Sequence, residues 1–171
     1  MSEEINTTVV YDFGDSITGD ENFETIDFTY DYSPWWLDIF DMHTHYNFHE
    51  TIGTMNDETL KMMLKFRLDF LQEELNEAKN AESAEDIVDA MIDLCVVAIG
   101  TLDAFRVDSQ TGWDEVMTAN MAKELGIKKE RPNPLGLPDL IKPAGWEAPS
   151  HEGNHGLLTR VDYTNFNELF N

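Results

Sequence analysis

LQEELNEAKNAESAEDIVDAMIDLCVVAI, residues 71–99, holds the end of one amphipathic helix, a short break, and the start of a second helix that is apolar almost all the way round. Upstream of the break, Leu60, Met63, Leu64, Leu68, Leu71, Leu75 and Ala78 recur at spacings of three and four, the period of a single helix face. Asn56-Asp57-Glu58-Thr59 supplies the start signal for that helix. Past the break, Ser83 followed three positions later by Asp86 matches a capping box, with Asp in place of the usual Glu or Gln, and predicts a helix to about Phe105. Ile87, Val88, Met91, Ile92, Leu94, Cys95, Val96, Val97, Ile99 and Leu102 surround nearly the whole of this cylinder, so it is expected at the centre of a bundle. The connection around Asn80 to Ala84 is short enough to make the two helices antiparallel neighbours.

That arrangement brings the acids of the quoted stretch together. Glu73 and Glu77 are four apart and stack on one face, with Glu74 to the side; Asp89 and Asp93 are also four apart on the next helix. The glutamates alone are weak evidence, because like charges at this spacing cost an exposed helix only a few tenths of a kcal/mol per pair. The aspartates interrupt an apolar helix, where a carboxylate without a partner is costly and where Asp is a poor helix former. The chain has 11 lysines and arginines against 34 acids, so a divalent cation is the more economical partner. Oxygen donors without cysteine or a clear histidine set favour Mg²⁺ or Mn²⁺ over zinc, and magnesium points towards phosphates.

Outward from this pair, Ser33-Pro34 predicts an earlier helix running to about Gly53, with Trp36, Phe40, His43 and Asn47 on one face and Trp36 and Phe40 expected to pack. A fourth helix is predicted over Gly112 to Leu125, stopped by Gly126. No convincing strand pattern competes with these helices. The expected fold class is therefore all-α, a bundle of four to five helices over residues 33–127. Residues 1–32 form an acidic N-terminal arm without lysine or arginine, yet with enough aromatic and branched residues to pack on the domain or on another subunit. Residues 128–171 are dense in proline and glycine and read as a wrapping C-terminal tail.

The 171 residues, 42% apolar, suit one domain of ordinary size. A net charge of -23 argues against an electrostatic grip on nucleic acid. No run approaches the roughly 18 apolar residues of a membrane span and the first residues are not signal-like, so the expectation is a soluble, cytoplasmic protein without a membrane partner. Cys95 is the single cysteine and is expected to be a buried core thiol rather than a nucleophile. His43, His45 and His49 receive no role at this level.

Glu73-Glu74-Leu75-Asn76-Glu77 followed by Asp93 resembles the E-E-x-x-E and E-x-x-D pattern of the all-α nucleoside triphosphate pyrophosphohydrolases, which include MazG-like proteins, dimeric dUTPases and phosphoribosyl-ATP pyrophosphatases. The departure is at Ala90, where the pattern has a glutamate; Asp89, one residue earlier, stands in as it does in phage-type members reading D-A-x-x-D. Asn120-Met121-Ala122-Lys123 looks like the N-M-x-K element, and Lys142-Pro143-Ala144-Gly145-Trp146 like the K-P-x-G-W tail of phage and some bacterial members. The likeness covers about residues 35–150.

The resemblance implies attack of a metal-activated water on the α-phosphorus of a nucleoside triphosphate, releasing pyrophosphate, with two or more Mg²⁺ or Mn²⁺ ions. Glu73, Glu77 and Asp93 are the implied primary ligands, Glu74 a ligand or the catalytic group that orients water, and Asp89 a ligand or its support. Arg67, Asn120, Lys123, Lys142 and Trp146 are the implied substrate-binding residues; without the resemblance, Arg67 is equally a salt bridge, Asn120 and Lys123 a solvated helix edge, and Trp146 an anchor for the tail. A homodimer or homotetramer and a purine (dGTP or dATP) preference, as in a phage nucleotide-pool enzyme, are further implications. The competing reading of the charge is a non-enzymatic acidic DNA mimic or inhibitor protein. An ion-storage bundle fits less well, because no Glu-x-x-His pair falls within a predicted helix.

Overall fold

The computed structural model describes residues 34–170, so the acidic arm expected over residues 1–32 lies outside the described residues. Five helices dominate: α1 (Trp35–His45), α2 (Phe48–Gly53), α3 (Asp57–Asn80), α4 (Ala84–Ala104) and α5 (Ser109–Met121). One two-stranded antiparallel ribbon follows, β1 (Glu124–Gly126) with β2 (Asp139–Ile141), in which Leu125 stands opposite Leu140. Two short 3-10 turns, Gly156–Arg160 and Phe166–Phe170, complete the tail. The fold class is all-α, as expected. Among the described residues no helix is long and apolar enough to cross a membrane.

The caps decide where α3 and α4 begin. The Asn56 side chain accepts from the Thr59 amide and hydroxyl, both at 2.8 Å, satisfying one of the free amides of the first turn of α3. At α4 the capping box closes in both directions: Ser83 Oγ accepts from the Asp86 amide at 3.1 Å, and Asp86 accepts from the Ser83 amide at 2.9 Å. Hydrogen bonds from the Glu82 amide first, then from the Ser83 side chain and amide, hold the Asp86 carboxyl below its ordinary pKa.

Four features differ from the sequence expectation. The helix predicted to run to Gly53 is broken: Asn47 adopts the left-handed region, φ 57°, so α1 and α2 form a bent pair. Asn tolerates that conformation better than most residues, which is why the chain turns there. The fourth helix starts a turn earlier than predicted, at an Asp108 cap that accepts from Thr111, and ends at Met121; Leu125 and Gly126 belong to β1. Trp36 and Phe40 are exposed in the single chain, 37% and 44%, rather than packed. Cys95 is half-buried rather than buried.

The main core lies where α2, α3 and the end of α4 meet the tail. Ile52, Leu60, Leu64, Ala104, Phe105 and Val161 are buried, with Phe105, Ile52 and Leu60 wholly so. Leu157, Leu158 and Phe166 pack against them from the tail. Gly156 makes that docking possible. Its φ is +49°, and a side chain there would run into the backbone at Phe105 and Arg106, whose near approach lets the Leu157 amide donate to the Phe105 carbonyl at 2.6 Å. Arg160 fastens the same segment to the start of α3 through Asp57, 2.8 Å from its Nε, and the Met55 carbonyl.

α3 packs most extensively on α4, followed by α1 on α4. Ala90, Val97, Gly100 and Ala104 form the buried side of α4. The opposite side is exposed: Ile87, Val88, Met91 and Ile92 face solvent in the single chain, Val88 at 62%. The all-round apolar character of this helix is thus only half used within one chain.

Candidate active site at the α3 and α4 turn

The last turns of α3 carry Glu73, Glu74 and Glu77; the first turns of α4 carry Asp89 and Asp93. Glu74 and Asp93 are half-buried, while Glu73, Glu77 and Asp89 are exposed. Burial of charge, on which the sequence argument for the two aspartates leaned, does not single out Asp89. Convergence does. The Glu74 pKa is raised, first by desolvation and then by the charges of Glu77, Asp93, Glu73 and Asp89 in that order, so carboxylates from both helices act on one group. Among the described residues none of the five has a lysine, arginine or histidine at ion-pair distance.

Five hard oxygen donors from two helix faces fit Mg²⁺ or Mn²⁺, which prefer carboxylates and retained waters to nitrogen or sulfur. Among the described residues no three of these carboxylates present oxygens all within 4.8 Å of one another. The cluster is therefore splayed.

Arg67 lies six residues, a little under two turns, before Glu73 on α3, and its guanidinium is directed at α4. Nη2 donates to the Val97 carbonyl at 2.9 Å and Nε to the Thr101 hydroxyl at 3.0 Å, beside Gly100, where a side chain would meet the guanidinium. Burial lowers its pKa, though an arginine stays charged. Arg67 thus clamps the helix pair.

The other implied substrate residues meet at the end of α5. Lys123 Nζ donates to Asn120 Oδ1 at 2.7 Å and stands 5.5 Å from the centre of the Trp146 ring. Lys142 Nζ stands 4.2 Å from the same ring. Trp146 Nε1 donates to the Ala119 carbonyl at 2.7 Å, satisfying one of the carbonyls left without a helical partner where α5 stops. Four residues separated by up to 26 positions are so gathered into one cluster. Beside it opens a pocket of about 420 Å³ lined by Lys123, Lys128, Lys129, Lys142, Glu130 and the apolar Ile127, Leu140 and Ile141. In a chain of net charge -23, this is a concentration of positive charge. Lys128 and Arg131 both pair with Asp139 at 3.0 Å, and the Lys128 hydrogen bond is the main reason the Asp139 carboxyl lies below its ordinary pKa.

One cluster escaped the sequence reading. Asp103 Oδ2, near the C-terminal end of α4, is 2.5 Å from His43 Nδ1 and 2.7 Å from His49 Nε2. His43 and His49 are six residues apart, roughly 120° apart around a continuous helix, so no helical spacing signals the pair. The bend at Asn47 brings them onto one oxygen.

Comparison with known proteins gives one family. Residues 45–120 match the family described as phosphoribosyl-ATP pyrophosphohydrolase, a span that includes both acidic helices and reaches Asn120. No curated protein matches the chain. Matched segment, helical architecture and paired acidic helices agree: over residues 45–120 the chain is similar to the phosphoribosyl-ATP pyrophosphohydrolase family, a member of the all-α, MazG-like nucleoside triphosphate pyrophosphohydrolase superfamily.

Proposed function

We propose that the protein hydrolyses a nucleoside triphosphate to the monophosphate and pyrophosphate by attack of water on the α-phosphorus, in dependence on Mg²⁺ or Mn²⁺. The observation that carries this reading is the effect of four carboxylates from two helices on Glu74, with no protein cation at ion-pair distance among the described residues. Glu73, Glu77 and Asp93 hold the ions, two or more per site, and Asp89 is a further ligand or supports one. Bound ions of this kind neutralise phosphate charge and lower the pKa of water.

Glu74 orients the attacking water and accepts its proton. A carboxyl whose pKa is raised towards the working pH is a better proton acceptor than an ordinary one, provided it is still ionised. Lys123 and Lys142 attract phosphate oxygens as point charges, and Asn120 holds Lys123 in place while keeping its amide nitrogen for the nucleotide. Trp146, fixed at the end of α5, borders the space for the base. Arg67 acts on the triphosphate indirectly, by keeping α3 and α4 in the register that groups the five acids.

Base preference rests on the likeness of the Lys142 to Trp146 segment to phage-type tails, and the expected order places dGTP or dATP first, as suits a nucleotide-pool enzyme. A homodimer or homotetramer that covers Ile87, Val88, Met91 and Ile92 belongs to the same proposal. The test is pyrophosphate release from every ribo- and deoxyribonucleoside triphosphate with each metal, for the native chain and for Glu74→Gln. The variant is expected to lose about 10²–10⁴-fold in rate with its helical signal unchanged. Wild-type release by Glu74→Gln sinks the assignment.

A further inference from the structure

We propose that His43, His49 and Asp103 form a second metal site, one for a borderline transition ion such as Zn²⁺, that fastens the bent α1 and α2 pair to α4. His43 Nδ1, His49 Nε2 and Asp103 Oδ2 lie within 4.8 Å of one another, and both imidazoles are aimed at the same carboxylate oxygen. Two imidazole nitrogens and a carboxylate are a donor set that zinc takes up readily and magnesium does not. Asp103 follows Asp93 by ten residues on α4, a rise of about 15 Å, so this site and the acidic cluster are distinct and differ in chemistry.

The surroundings favour occupancy. His43 is buried and Asp103 nearly so, while His49 is about a quarter exposed and offers the route for exchange with solvent. The Phe48 ring packs on His43 at 4.5 Å and Phe40 on His49 at 4.9 Å, which limits the ways the rings can turn. The nearby Arg67 does not compete for Asp103, because its donors go to the Val97 carbonyl and the Thr101 hydroxyl. Asp103 therefore has two titratable histidines for partners and no lysine or arginine within ion-pair distance among the described residues.

Proton balance permits the exchange. In the hydrogen-bonded form each imidazole donates to Asp103, His43 through Nδ1 and His49 through Nε2. On coordination each neutral ring keeps its one proton and moves it to the other nitrogen, His43 to Nε2 and His49 to Nδ1. His49 Nδ1 lies 3.4 Å from the Thr44 hydroxyl, which can accept it and fix the ring in the metal-binding tautomer. Three protein donors leave a fourth position for water.

The experiment is calorimetric titration of untagged protein with ZnCl₂ in excess Mg²⁺, on the native chain, on Asp93→Asn, and on Asp93→Asn combined with His49→Gln. The Asp93→Asn protein is expected to keep one Zn²⁺ per chain and to melt at a higher temperature with it; adding His49→Gln removes both effects. Asp103→Asn, which keeps the shape of the side chain, gives the same loss should His49→Gln misfold by circular dichroism. Co²⁺ in place of Zn²⁺ is expected to give a visible d–d absorption that disappears in the same variants. No Zn²⁺ binding to Asp93→Asn, or binding unchanged by both His49→Gln and Asp103→Asn, overturns the proposal. Neither result bears on pyrophosphate release, which Glu74→Gln tests separately.

Discussion

The two ends of α4 handle carboxylates in opposite ways. At its start, Asp89 and Asp93 join three glutamates of α3 in a cluster whose members repel one another and raise the Glu74 pKa. At its end, Asp103 is held by two histidines a residue before the buried Ala104 and Phe105. One helix thus carries an electrostatically strained end with little apolar cover and a satisfied end within the main core. On the proposed function, the contrast separates catalysis from stability along the length of the helix. Repelling acids are kept where ions and phosphate are expected to arrive, and the surrounding fold is stabilised from the other end.

If that division holds, the largest losses of stability come from the core end. Phe105→Ala, at a side chain with no exposure, is expected to cost about 3–5 kcal/mol in urea denaturation. A cost below about 1 kcal/mol, the range of ordinary surface changes, would place the core elsewhere. Gly156→Ala is expected to cost about 1–3 kcal/mol, through strain at a positive φ and collision with the Phe105 and Arg106 backbone. Thermal melts should show the lower midpoint with the α4 turn chemistry untouched. At the acidic end, Ser83→Ala breaks the capping box for about 1 kcal/mol. Urea midpoints of the single variant measure it directly.

The smallest expected effect is a difference of sign with pH. Asp86 and Asp108 have lowered pKa values, so their stabilisation is present above the unfolded value and is lost as the pH falls through their folded values, below 3.8. Glu74 has a raised pKa, so its folded state binds the proton more readily than its unfolded state. In metal-free protein this group adds stability as the pH falls through its raised value towards 4.5, and none is gained below that. Denaturant midpoints followed downward from neutral pH should therefore rise slightly before they fall, and Glu74→Gln should remove the rise alone. An unchanged rise in that variant assigns it to another group.

Much of α3 and α4 was legible because local signals and apolar period agree there: Asn56 and Ser83 cap where predicted, and the acids follow from spacing alone. The gathering of Asn120, Lys123, Lys142 and Trp146 was visible only as separate motifs, since the Trp146 bond to Ala119 spans 27 positions. Other features were hidden for stated physical reasons. A lone Asn at φ 57° leaves the apolar period across Asn47 looking continuous. A three-residue strand, Glu124–Gly126, is too short to show alternation and borrows its pairing from Asp139–Ile141. His43, His49 and Asp103 meet through that bend and through a helix that begins more than thirty residues after His49. The exposed Trp36, Phe40 and Val88 follow a different logic: the periodicity marks them as covered, and within one chain they are not.

The placement of Val161 and its neighbours also sets an order of events during synthesis. Leu60 and Leu64 are made about a hundred residues before Val161, yet all three belong to one buried cluster. Closing so long a loop is slow compared with winding the α3 and α4 hairpin, whose contacts are local. On the ribosome the acidic turn can therefore assemble early while the core beneath α2 waits for the 3-10 segment to emerge. Until Leu157, Leu158 and Val161 arrive, the Phe105 side of that core is without its cover, and this interval is the one in which a chaperone or an unwanted neighbour would find the chain.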